Sequence, residues 1–177
     1  MDTGGQLTPS EMDAVVADAQ NRVRASFGSM PVFGPVGWNG PVMIGEWNWA
    51  GGAHGLAHGN PDGDQPYVQV QTHPHDARQG VNHLRANSTN DFGRGDTPPD
   101  RLTEITVDAT PVLFEVWEDE LGMWAGGNYL EHGIVVESRR TSIDDLRLER
   151  VVDLEPYLEG QLELIRRARR EAGWHEI

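Results

Sequence analysis

Five of the seven histidines lie between positions 54 and 83, with the spacings H-x-x-x-H and H-P-H: His54, His58, His73, His75 and His83. Imidazole nitrogens bind zinc and similar metals, and two histidines four residues apart reach one ion when their segment is helical. The segment around the first pair, GAHGLAHG, is rich in glycine and therefore a poor helix. Two interpretations stay open, a site for a divalent metal and a solvated loop.

Tryptophan offers a second kind of site, because the chain contains six of them. Trp47 and Trp49 share one side of a predicted strand over 41–49 and precede an irregular stretch. With Tyr67, they are candidates for the wall of a pocket that binds a small molecule or a sugar. Trp117 and Trp124 face each other across a predicted hairpin. Since tryptophan is strongly buried on average, a tryptophan-rich core is the alternative interpretation.

Acidic residues indicate a third possibility, a basic protein partner. The chain has 28 Asp and Glu against 14 basic residues, all of them arginine, and a formal net charge of −14. A field of this sign repels phosphate backbones, which argues against nucleic-acid binding. Glu118, Asp119 and Glu120 form a predicted hairpin tip beside Glu115 and are candidates for a docking site. The alternative is that the charge only keeps the protein soluble.

Several classes of chemistry are excluded or disfavoured. The chain has no cysteine and no lysine, which excludes disulfides, thiolate metal sites, cysteine nucleophiles and lysine Schiff bases. The nucleophile elbow, the phosphate-binding loop and the dinucleotide fingerprint are also absent. These absences do not favour an enzyme. No stretch approaches the roughly 18 apolar residues of a membrane span, and the N-terminus shows no secretory signal, which predicts a cytoplasmic protein. The arginine-only, Ala/Gly/Pro-rich composition suggests a bacterial genome of high GC content.

Two helices are predicted at the ends of the chain. Thr8 and Glu11 bracket Pro9 as a capping box with proline in the first helical position, and an apolar stripe then continues to Phe27. A second helix is predicted over 153–172, with glutamates early and arginines late, as the helix dipole favours.

Between these helices the pattern is that of strands. An alternating strand is predicted over 67–73, and four consecutive strands joined by tight turns over 102–140. Residues 1–177 are therefore predicted to form a single α+β domain, a mostly antiparallel sheet of about five or six strands with N- and C-terminal helices packed on it. A long irregular loop region is predicted at about 50–101.

From these patterns we expect a small acidic interaction module that binds a basic protein, in the manner of an inhibitor or immunity protein. Two alternatives remain: a metal-dependent enzyme or metal-binding protein using the histidine-rich stretch, and a small-molecule or sugar pocket lined by tryptophan. No cofactor other than a divalent metal is indicated.

Overall fold

The computed structural model describes residues 8–27, 29–38, 42–47, 52–89 and 97–171. These residues form three helices and nine strands. The helices are α1 (Pro9–Phe27), α2 (Ala77–Thr89) and α3 (Glu155–Glu171). The strands are β1 (Phe33–Pro35), β2 (Val42–Trp47), β3 (Ala53–His58), β4 (Tyr67–His73), β5 (Arg101–Val107), β6 (Thr110–Asp119), β7 (Gly122–Tyr129), β8 (His132–Arg139) and β9 (Arg147–Arg150).

All nine strands belong to one mixed sheet, with the order β1-β9-β5-β6-β7-β8-β4-β3-β2. Every pairing is antiparallel except the parallel contact of β5 with β9. The sheet curls until its ends approach each other: a Cβ atom added to Gly34 of β1 would lie 3.1 Å from the Leu56 Cδ1 atom of β3. The result is a nearly closed, barrel-like sheet.

The predicted fold class was therefore wrong. Eight strands of four or more residues and the three-residue β1 replace the five or six expected, and the sheet is mixed and strongly curled rather than open and antiparallel. Two strands, β1 and β9, are too short to show a period. Their pairing with each other joins residues more than a hundred positions apart, which no local pattern records.

The strand predicted over 67–73 is confirmed as β4, but the irregular region predicted around it at about 50–101 needs correction, because it also contains β3 and α2. The β3 sequence AHGLAH was interpreted as a loop because of its glycine. In the sheet, Gly55 pairs with Gln71 of β4, and a Cβ there would lie 2.0 Å from the carbonyl oxygen of Val70. The backbone of β4 leaves no room for a side chain at this position, so the strand requires glycine here. The same glycine had favoured the prediction of a loop.

The four-strand meander predicted over 102–140 is confirmed as β5 to β8, each pairing with the next. Alternation divides these strands between two faces. The inner face, inside the curl, carries the main core, which includes Phe114, Val116, Ile134 and Val136, all fully buried.

Helix α2 covers part of the outer face. Its Val81 and Leu84 pack on Trp117, Trp124 and Val135. Helices α1 and α3 lie elsewhere, where they contact a second cluster of buried residues, namely Val32, Leu56, Val151, Leu154 and Leu158.

The predicted capping box at the start of α1 is present. Thr8 donates its backbone N–H to the Glu11 carboxylate at 2.8 Å, and the Glu11 N–H is 3.3 Å from the Thr8 hydroxyl oxygen. Among the described residues, no helix is long and apolar enough to cross a membrane.

Candidate functional site

The five histidines do not assemble into one cluster. The register of β3 against β4 places His54 and His58 on the inner face, whereas His73 lies on the outer face of β4 and His75 and His83 are exposed near it. In a strand, two residues four positions apart lie on one face but roughly 13 Å from each other, so the spacing of His54 and His58 does not bring their rings together. In the part of the chain that the structure describes, no three His, Asp or Glu side chains are placed to hold a metal ion. The structure therefore does not bring the five histidines together around a single ion.

His58 is a packing residue of the inner face. Its ring meets Trp38 edge to face, with 6.3 Å between centroids. Both ring nitrogens are buried without a hydrogen-bond partner among the described residues, and burial lowers the pKa of His58. Burial therefore favours the neutral form of this imidazole.

His73 is held neutral on the outer face beneath α2. Its Nε2 atom lies 3.0 Å from the Gln71 Oε1 atom, within hydrogen-bond distance. Burial, followed by the positive charges of His83 and His75, lowers the pKa of His73 to about 4. Gly80 of α2 approaches so closely that a Cβ there would lie 3.0 Å from the His73 Nδ1 atom.

The lowered pKa of His73 has a consequence for stability below neutral pH. The unfolded chain takes up a proton near pH 6.5 and the folded chain only near pH 4, so His73 contributes stability above pH 6.5 that is lost as the pH falls towards 4. We expect this loss to amount to about 3 kcal/mol. Urea unfolding between pH 7 and pH 4.5 should show a smaller loss for His73→Gln than for the wild type. His132→Gln, on the opposite face of the sheet, is the control; equal losses in wild type and His73→Gln would contradict the assignment.

Tyr67, the predicted ligand contact, is instead part of a buried polar row. Its hydroxyl donates to the Gln69 side-chain carbonyl, and the Arg139 guanidinium lies 5.9 Å from its ring centroid. Arg139 also forms a 2.7 Å ion pair with Glu137, which is only 3 % exposed. Burial and the neighbouring carboxylates of Glu137 and Asp62 raise the pKa of Tyr67. The row is satisfied internally and stabilises the sheet.

Of the two tryptophans predicted to line a pocket with Tyr67, Trp47 is described and Trp49 lies outside the described residues. Trp47 ends β2 as the register partner of Ala53. By contrast, Trp117 and Trp124 pair directly across the β6–β7 hairpin, as predicted. Both are at most 1 % exposed and belong to the core beneath α2.

The acidic residues predicted to bind a partner lie on different faces. Glu115 is on the outer face, where Arg78 of α2 approaches its carboxylate to 3.2 Å. Glu118, three residues further along β6, lies on the inner side at the end of the sheet and pairs with Arg101 at 2.7 Å. Asp119 accepts the backbone N–H of Leu121 at 2.8 Å and so holds the turn. Glu120 is exposed. The four acids thus do not form one continuous patch.

A different surface emerges on the outer face of β5 and β6. Leu102 pairs with Glu115, and Glu104 pairs with Leu113, which sets two leucines and two glutamates in a checkerboard. We call these four residues the leucine face. Leu102 is 56 % exposed and Leu113 is 63 % exposed. Diagonal neighbours on paired strands lie roughly 7–8 Å apart, so the two leucines form one apolar patch.

The leucine face was missed at the level of sequence, although a signal for it exists. Val112, Phe114 and Val116 already supply the inner face of β6 with apolar side chains. On the outer face of β6, Trp117 is the residue that joins the core beneath α2, so Leu113 adds an apolar residue at a position that the core does not use.

The chain matches no protein-family model, no curated protein and no solved structure.

Proposed function

We propose that the protein is an interaction module that docks a basic protein partner on the leucine face. The observation that carries the proposal is the exposure of Leu102 and Leu113 on neighbouring strands. Helix α2 covers Trp117 of β6 and the outer face of β7 and β8 through Val81 and Leu84. Beside it, Leu102, Glu104 and Leu113 remain exposed.

The apolar part of the surface favours burial in a complex. Each leucine side chain gains about 1.5–3 kcal/mol when it is fully removed from water. Apolar residues near the centre of an interface, surrounded by polar ones, carry much of the binding energy. Leu102 and Leu113 fit this arrangement, with glutamates as their immediate neighbours.

The charge of the surface indicates which kind of partner fits. Glu104 is exposed and has no ion-pair partner among the described residues, and the Glu115 side chain is 37 % exposed despite its contact with Arg78. With a net charge of −14, the protein attracts a basic surface and repels an acidic one. Complementary charge of this kind raises the association rate and excludes wrong partners.

Binding rather than catalysis is the activity that these observations support. His58 and His73, whose pKa values burial lowers, are buried on opposite faces of the sheet. We also propose a cytoplasmic location, where disulfides are rare and a chain without cysteine is at no disadvantage.

Leu113→Asp tests this proposal directly. Partners captured from the native cell extract by the immobilised wild-type protein would be cross-linked and mapped by mass spectrometry. We expect a basic protein cross-linked beside β5 and β6, and a loss of capture of at least about tenfold for Leu113→Asp, because a carboxylate would be buried in the interface.

Val152→Asp is the matched control, since Val152 is 88 % exposed and lies outside the leucine face. This variant carries the same added charge and should retain the partner. If Leu113→Asp captured the same proteins as the wild type, or if the cross-links mapped elsewhere, the proposal would be wrong.

A further inference from the structure

An open cleft of about 410 Å³ lies at one end of the curled sheet, away from the leucine face. The chain leading into β1 forms one wall with Met30 and Pro31, and the β7–β8 turn forms the other with Leu130 and His132. Arg150, the last residue of β9, completes the lining. Small-molecule sites typically have volumes of roughly 300–1,000 Å³, and the mouths of barrels are among their preferred places.

The guanidinium of Arg150 is available to a ligand. Arg150 pairs with Phe33 in the register of β1 and β9, and its backbone N–H donates to the Asp108 carboxylate. Its side chain forms no ion pair among the residues that the structure describes, even though Glu131 also lines the cleft. In a protein with twice as many acids as arginines, an unpaired arginine facing a cleft is poised for an external anion.

Leu130 supplies a second, independent observation. It is 82 % exposed and has a φ of +54°, a conformation that favours glycine or asparagine. Folding alone gains nothing from leucine here, because its side chain is in water and its backbone is strained. Strained residues are retained where they serve a site. An apolar group in the cleft would cover this side chain together with Met30 and Pro31.

We propose that this cleft binds a small carboxylic acid with an apolar body. The carboxylate would pair with Arg150, and the body would lie against Met30, Pro31 and Leu130. His132 lines the cleft beside them. One unpaired arginine matches one negative charge; a dianion such as a phosphate monoester would be under-compensated beside Glu131.

The probe for this site is 4-phenylbutyrate, with its neutral amide as the charge control. Titration of the ¹⁵N-labelled protein up to about 10 mM, the weak range for a small ligand, should give saturable amide shifts around Leu130, His132 and Arg150. We expect Arg150→Gln to weaken binding at least about tenfold, as does loss of a charge-assisted hydrogen bond, and the amide to bind correspondingly weakly.

Arg147→Gln is the matched control. Arg147 is an exposed arginine of the same strand, three residues away and therefore on the opposite face, so this variant should bind within about twofold of the wild type. Leu130→Asn should be at least as stable as the wild type yet bind several-fold more weakly. An affinity that Arg150→Gln leaves unchanged, or an absence of saturable shifts at the cleft, would overturn the proposal. Neither outcome bears on the leucine face.

Discussion

Phe114→Ala is expected to lower the free energy of unfolding by about 3–5 kcal/mol, the largest effect of any single substitution considered for this fold. Phe114 is fully buried at the centre of the inner-face core. Its ring lies directly over Gly127 of the neighbouring strand: a Cβ added to Gly127 would lie 2.6 Å from the ring. The melting temperature should fall by about 10 °C.

Combining Phe114→Ala with Gly127→Ala tests the contact between the ring and Gly127 more directly than either substitution alone. Gly127→Ala should cost about 1–3 kcal/mol, because the added methyl group forces the ring to move. In the double variant the methyl group enters the space that the ring has left. We therefore expect the double variant to lose at least about 1 kcal/mol less than the sum of the two single losses.

Chemical denaturation of all four proteins measures this coupling. Combining Gly127→Ala with Phe33→Ala provides the control, because Phe33 is an equally buried phenylalanine whose ring packs edge-on against Tyr129, 5.8 Å between centroids. That combination should be close to additive. Strict additivity for the Phe114 pair would show that the ring does not depend on the absence of a side chain at Gly127.

Gly133→Ala should lower the free energy of unfolding by about 3 kcal/mol. A Cβ at Gly133 would lie 2.4 Å from the His75 carbonyl oxygen and 2.6 Å from the Ala77 nitrogen. Both are backbone atoms, which cannot rotate away, so the start of α2 must leave the sheet. Asn128 anchors this same point, since its side-chain oxygen accepts the Ala77 N–H at 2.9 Å.

Gly160→Ala offers the matched control for this substitution. Gly160 lies in α3, where an added Cβ would meet no atom within 4 Å. Alanine there should stabilise the protein by about 0.5–1 kcal/mol, because glycine loses more conformational freedom in a helix. Urea unfolding of both variants measures the contrast. If Gly133→Ala were as stable as the wild type, the close approach of α2 to β8 would be refuted.

The meander was predictable because its information is local. Each of β5 to β8 alternates in hydrophobicity and ends at a tight turn, so strand and pairing follow from neighbouring residues. Strand β3 was missed for the opposite reason. Gly55 is set by the backbone of β4 beside it, a contact that the sequence of β3 does not record.

The candidate sites were predictable only in part. The acidic character of the surface follows from composition, and Glu115 does lie beside the patch that we propose. Which residues share a face depends on register. The register of β3 against β4 places His54 and His73 on opposite faces of the sheet. The register of β5 against β6 places Leu102 directly beside Glu115. The spacing of His54 and His58 was a poor guide because β3 is a strand and not a helix: four residues span roughly 13 Å there, whereas they make about one turn of a helix.

The pairing of the chain's two ends has a consequence for the order of assembly. Val151 donates its backbone N–H to the Val32 carbonyl at 2.8 Å, and the Gln20 side chain donates to the Leu158 carbonyl at 2.9 Å. Each hydrogen bond closes a loop of more than a hundred residues, and closing such a loop costs conformational entropy. That cost is lower once the hairpins within the loop have formed. The first and last segments therefore join late in folding and come apart together, so a change near either terminus is felt at the other.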